Sequence, residues 1–122
     1  MFIIDYTSGV PVYEQIKSQM LSLVSSGVLK SGDKFPSIRT LASQLKLNVN
    51  TIKKVFAQLE EDGVIVTVVG SGSYVAETAY RNPVVMEKAE ARLKESLKAA
   101  KSAGLNKAEI LEIVNEIVEE EK

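Results

Sequence analysis

The chain has 122 residues, the length of one ordinary domain with room for a small appendage. Its 25% charged and 45% hydrophobic residues are normal for a soluble protein, and 15 Lys plus Arg against 16 Asp plus Glu leave a formal charge of −1. With no Cys and no His, a disulfide framework, a Cys/His zinc site and any nucleophile–His pair are excluded, so no metal or cofactor is expected and binding remains as the function class.

The opening Met1-Phe2-Ile3-Ile4-Asp5 lacks the basic region of a secretory signal. The longest apolar run, Val64 to Val69, is broken by Thr67 and is too short to cross a bilayer. The expected location is the cytoplasm, with no membrane partner.

Residues 11–27 read as a helix opened by Pro11 and stopped by Gly27, with Val12, Ile16, Met20 and Leu23 or Val24 as its buried stripe. Tyr13 lies beside that stripe. Ser31-Gly32-Asp33 reads as a turn. Ser37 caps a short helix to about Leu45, with Ile38, Leu41, Ala42 and Leu45 apolar. Lys46-Leu47 breaks it. Asn48 caps a second helix over 49–62, buried through Ile52, Val55, Phe56 and Leu59 and ended by Gly63. Two helices so closely spaced suggest a helix-turn-helix.

Residues 64–69 and 73–76 read as strands joined by Gly70-Ser71-Gly72 in a tight hairpin. Asn82-Pro83 starts a helix to about Ala103, with a narrow stripe of Val85 or Met86, Ala89, Leu93, Leu97 and Ala100. Asn106 and Glu109 form a capping-box start for a last helix, whose Ile110, Leu111, Ile113, Val114, Ile117 and Val118 make a wide apolar face. The expected fold is α+β: a winged helix-turn-helix of three helices and a two-stranded wing (residues 8–77), then a two-helix tail (residues 82–121).

The total charge hides a strong segregation. Residues 30–54 hold Lys30, Lys34, Arg39, Lys46, Lys53 and Lys54 against Asp33 alone, a net of +5. Residues 55–78 hold Glu60, Glu61, Asp62 and Glu77, a net of −4. A local basic patch suffices to attract phosphate, because that attraction is screened within about 8–10 Å at working salt. Glu60, Glu61 and Asp62 would repel phosphate and are expected to face away from DNA.

Five pieces of sequence then fall in order. They are Pro11-Val12-Tyr13-Glu14-Gln15-Ile16, Gly32-Asp33-Lys34-Phe35-Pro36-Ser37-Ile38-Arg39 before Leu41-Ala42, and Asn48-Val49-Asn50-Thr51-Ile52. Leu59-Glu60-Glu61-Asp62-Gly63 and Gly70-Ser71-Gly72-Ser73-Tyr74-Val75 complete the set. Together they resemble the DNA-binding domain of the GntR family of bacterial transcription regulators. The Asn-x-Asn-Thr opening and the short tail resemble its YtrA-like branch. The resemblance implies a small homodimeric repressor of a bacterial operon, often one of ABC-transporter genes. A 44-residue tail is too short for the large effector domains of other branches.

Sequence readout needs exposed side chains on an element in the major groove. Asn50, Thr51, Lys53 and Lys54 lie in the first two turns of the candidate recognition helix. Asn50 suits adenine, Thr51 a base, a phosphate or its own capping turn, and Lys53 and Lys54 phosphate or guanine. Asn48 reads first as a cap and second as a base contact. Ser37 is first a cap, and can also face phosphate from its helix N-terminus. The resemblance gives the Arg39 position a DNA contact; the competing reading is a surface ion pair with Glu60 or Asp62. Gly70, Ser71 and Gly72 form the wing tip, where glycine allows close backbone approach but also serves the turn itself. Val49 stands where many family members carry Arg, so the operator of better-known branches does not transfer.

The last helix exposes more apolar surface than a two-helix appendage covers. Leu93, Leu97, Ile110, Ile113, Val114 and Ile117 are therefore expected to form a two-fold interface, giving a homodimer on a palindromic operator. The competing reading folds the tail back onto its own winged domain. A protein–protein adaptor is the alternative function, and an enzyme would lack any convergent set of acids and bases. A small-molecule effector between winged domain and tail, or at the dimer seam, stays open. Tyr6, Tyr13, Tyr80 and Arg81 are too scattered in sequence to define its site.

Overall fold

Local hydrogen bonds mark where each helix begins and ends. The structure, a computed structural model, describes residues 2–120; Met1, Glu121 and Lys122, including the last residue expected in the tail, lie outside the described residues. The first helix, α1, spans Val12–Ser25 behind Pro11. It ends slightly before Gly27, which takes a left-handed φ of 80° as its N–H reaches the Val24 carbonyl at 3.2 Å. Its buried stripe is Ile16, Met20 and Leu21, with Val24 packed at the edge. Leu21 is buried beside Met20, a position that the i, i+4 spacing does not predict.

Helices α2 (Ile38–Leu45) and α3 (Val49–Glu61) begin at the expected caps. Ser37 Oγ accepts from the Thr40 N–H at 3.1 Å, and Asn48 Oδ1 accepts from the Asn50 N–H at 2.8 Å. Each satisfies one of the orphan donors of a first turn. Between the helices, Lys46 is left-handed at φ 55°. The Leu47 N–H donates to the Ala42 carbonyl at 2.9 Å and that of Lys46 to Ser43 at 3.3 Å. This is a Schellman closure, with Lys where Gly is usual. The same closure ends α3, where Gly63 at φ 78° carries the chain into Val64.

Strands β1 (Ile65–Val68) and β2 (Gly72–Val75) pair antiparallel, with Ile65 opposite Val75 and Val68 opposite Gly72. Gly72 therefore opens β2, and the tip is Val69-Gly70-Ser71. The stretch 32–35 does more than turn. Gly32 N–H donates to the Val75 carbonyl, Val75 N–H to Asp33 and Phe35 N–H to Ser73, each at 2.8 Å. Both edges of β2 are thus paired, which covers a strand edge that would otherwise be exposed.

A 3₁₀ turn, Glu77–Ala79, leads to α4 (Pro83–Ala103). Asn82 caps it through Val84 N–H at 2.9 Å, and its Nδ2 donates to the Asp62 carbonyl at 2.9 Å, tying the start of α4 to the end of α3. Val85, not Met86, is the buried member of the α4 stripe. Helix α5 (Lys107–Glu120) starts with the reciprocal capping box: Glu109 N–H to Asn106 Oδ1 at 2.9 Å, and Asn106 N–H to Glu109 Oε1 at 3.0 Å.

The chain divides into two compact units between Ala89 and Glu90. The core of the first joins Ile16 and Met20 of α1 to Leu41, Ile52 and Leu59, and Phe35 meets Phe56 edge-to-face with ring centroids 6.2 Å apart. Phe2 and Ile4 pack against it from an N-terminal arm. Gln19 holds that arm as a neighbouring strand would: it accepts from the Ile3 N–H at 2.9 Å and donates to the Ile3 carbonyl at 2.6 Å. In the second unit α5 leaves Leu111, Ile113, Val114, Ile117 and Val118 exposed, and Leu93 of α4 is exposed as well. Leu97 and Ile110 are half-buried and line one hollow between the two tail helices.

Candidate nucleic-acid interface

Core packing of Ile52, Val55, Phe56 and Leu59 turns one side of α3 inward and leaves Asn50, Lys53 and Lys54 exposed. Arg39, exposed on α2, and Lys53 line one groove between the two helices, floored by Ile38, Ala42 and Leu47. Val49 lines it too. The fixed crossing of α2 and α3 therefore brings together two cations 14 positions apart. Neither is in an ion pair among the described residues.

Among the described residues Arg39 pairs with neither Glu60 nor Asp62. Asp62 instead faces Lys17 of α1 at 3.8 Å and accepts from Gln58 at 3.0 Å. Glu60 accepts from the Thr67 hydroxyl at 2.6 Å. These acids are held by α1 and β1, at the end of α3 opposite Asn50.

Asn48 spends its side-chain oxygen on the cap. Thr51 is half-buried, and its N–H donates to the Asn48 carbonyl at 3.0 Å. Asn50 differs: its side-chain amide has no hydrogen-bond partner among the described residues. Ser37 accepts from the Thr40 N–H and bonds the Thr40 hydroxyl at 2.7 Å, so its oxygen is engaged.

At the wing tip, Ser71 N–H closes the turn onto the Val68 carbonyl at 3.0 Å, with Gly70 at φ 80° between them. The Ser71 hydroxyl bonds the Tyr74 hydroxyl. Two residues here escaped the sequence reading. Val69 is 98% exposed at the apex, unusual for Val and invisible to a reading that took it as strand. Lys34 crosses to the wing and is bridged to Tyr74. The basic block is consequently not one patch: Lys30 and Lys34 precede α2 and sit with other elements.

A three-helix core, a Schellman turn between α2 and α3, and a β-hairpin directly after them define a winged helix-turn-helix, a class built to set one helix against DNA. The family model described as "Bacterial regulatory proteins, gntR family" matches residues 12–75. The HTH-type transcriptional repressor YtrA of Bacillus subtilis is 39% identical over 121 residues, covering 96% of this chain and 92% of its own. The structure of YtrA from Sulfolobus acidocaldarius, a GntR-family transcription factor, is similar at a TM-score of 0.57 and 36% identity, covering 98% of this chain and 97% of that one. The DNA-binding domain of AraR, solved in complex with operator ORX1, is similar at a TM-score of 0.56 and 25% identity, over 62% of this chain and 95% of that one. The chain belongs to the GntR family, in its YtrA-like branch, and is a DNA-binding transcriptional regulator. The family is one of regulators and not of enzymes. Among the described residues no helix is long and apolar enough to cross a membrane.

Proposed function

We propose that this regulator is a homodimeric repressor of a bacterial operon that reads a palindromic operator through α3 and the wing. Residues 8–77 act as the DNA-binding domain and residues 82–121 as the dimerisation tail. Arg39 and Lys53 grip phosphate or guanine, Lys54 adds a phosphate contact, and Asn50 reads a base. Thr51 touches the backbone or a thymine methyl. Ser37 and Asn48 act mainly as caps that present helix N-termini to phosphate. Gly70, Ser71 and Gly72 let the wing backbone approach the minor groove.

The observation that carries the reading is the groove shared by Arg39 and Lys53, together with the Asn50 amide on the same helix, which has no partner among the described residues. Dimerisation through Leu93, Leu97, Ile110, Ile113, Val114 and Ile117 rests on the apolar face of α5 and its exposure. Two linked half-sites then compensate for modest affinity at each. The cytoplasm, where the DNA is, is the location this reading requires.

Selection of bound sequences from random duplex DNA tests it. A palindromic motif is expected, lost in the Arg39→Ala/Lys53→Ala double variant while thermal stability is kept. Recovery of the same motif by that variant would sink the assignment of these residues.

A further inference from the structure

A groove of about 460 Å³ lies within the first compact unit, between the end of α1, the stretch 29–31, β2 and the start of α4. That size falls in the range of small-molecule sites. Its floor is apolar: Val24, Leu29, Val75, Ala79 and Val85, of which Val75, Ala79 and Val85 are buried core residues. Lys30 and Arg81 also line it, and among the described residues no carboxylate does. Among the described residues neither cation is in an ion pair. Tyr80, 82% exposed, stands beside Arg81. The fold thus brings Lys30 to the adjacent pair Tyr80 and Arg81, although they lie far apart in sequence; Tyr6 and Tyr13 do not line this groove.

Arg81 is also left-handed, at φ 67°. A residue with a Cβ resists that conformation, and Gly would adopt it freely. A type II turn requires that φ of its third residue, and the Asn82 N–H closes the turn on the Ala79 carbonyl at 3.0 Å, so the turn fixes Arg81 at the edge of the groove. We propose that this groove binds an amphipathic organic anion, its carboxylate held by Arg81 and Lys30 and its apolar body laid on Val75, Ala79 and Val85. Guanidinium is suited to a carboxylate because its donors form a planar fork. The occupant would touch β2 directly, since Val75 both lines the groove and donates to Asp33, next to the wing-bound Lys34. A ligand here therefore bears on the wing.

Octanoate is a suitable probe, with 1-octanol as its uncharged counterpart, titrated calorimetrically into the full chain. Octanoate is expected to saturate and to bind at least about tenfold more tightly than octanol. Arg81→Gln and Lys30→Gln should each weaken octanoate without changing octanol. Arg81→Gly should lose octanoate affinity while its melting temperature rises, a pairing that misfolding cannot produce. Equal binding of octanoate and octanol overturns the proposal, as does full octanoate affinity in the Lys30→Gln/Arg81→Gln double variant. Absence of saturable binding overturns it too, including the case in which a second copy of the chain fills the groove. None of these outcomes depends on which residues read DNA.

Discussion

The side chain of Lys34 lies across Gly72, so that a Cβ built on Gly72 would come within 2.8 Å of Lys34 Cε. This contact joins the stretch before α2 to the first residue of β2. It holds the wing by a cation whose head remains available to solvent, a common use of the Lys stem. Gly72 also has φ 142°, a region that essentially only glycine occupies. Gly72→Ala is expected to destabilise the chain by about 1–3 kcal/mol, chiefly through that backbone conformation, since the end of the Lys34 side chain can swing aside. Adding Lys34→Ala should relieve the contact but not the backbone strain, so urea unfolding of the double variant should recover only part of the loss.

Two neighbouring asparagines should separate stability from readout. Asn48 caps α3 by a 2.8 Å bond, and Asn48→Ala should cost about 1 kcal/mol of stability. Asn50→Ala removes an exposed amide and should change stability by no more than about 0.5 kcal/mol. Its effect should appear in DNA binding, as a loss of about 1–3 kcal/mol confined to one base position. An Asn50→Ala variant that keeps its full sequence preference would place the readout elsewhere.

Phosphate contacts have a signature in salt. Lys54→Ala should weaken binding to all sequences alike and lower the slope of log K against log salt by about 1. Arg39→Ala and Lys53→Ala should each do the same if they hold phosphate, or shift the preferred base if they hold guanine. Filter-binding titrations over a range of salt distinguish these outcomes.

For the tail, Ile113 and Ile117 are about half exposed, at 47% and 57%. A charge at either position costs little in a lone α5 but is severe in a buried two-fold seam. Ile113→Glu and Ile117→Glu should each convert a sedimenting dimer to monomer, with unchanged helical content and a large loss of operator affinity. Wild-type and variant chains of equal mass in solution would rule out this face as the interface.

Acid should loosen the N-terminal arm late. The Thr7 hydroxyl and then its N–H, both bonded to Asp5 Oδ1, hold the Asp5 carboxyl below its ordinary value of 3.8. A depressed folded-state value means that the turn's stabilisation is complete above 3.8 and is lost as pH falls through the lower value. The protection of the Thr7 amide relative to its intrinsic exchange rate at each pH should therefore hold at pH 4 and fall only below it, whereas Asp5→Asn should remove that pH dependence.

Much of the fold is legible in sequence because helix ends are local. Ser37, Asn48, Asn82 and Asn106 each bond an N–H two or three residues away, so the cap and its target are read together. The alternation of buried positions along α2 and α3 is equally short-range. By contrast, the pairing of residues 32–35 with β2, the Lys17–Asp62 ion pair and the Lys34–Gly72 contact join positions tens of residues apart. No periodicity announces them.

The charge of −1 shows the same division. The sequence by itself determined that basic residues concentrate between 30 and 54, that the chain lacks the Cys and His of a Cys/His zinc site or a nucleophile–His pair, and that a winged helix-turn-helix was to be expected. Only the tertiary structure decided where that charge goes. Arg39 and Lys53 come together because α2 and α3 pack on a shared core, while Lys30 is carried off to Arg81 because the stretch before α2 pairs with β2. Composition counts charges, but long-range backbone pairing and core burial determine which of them act together.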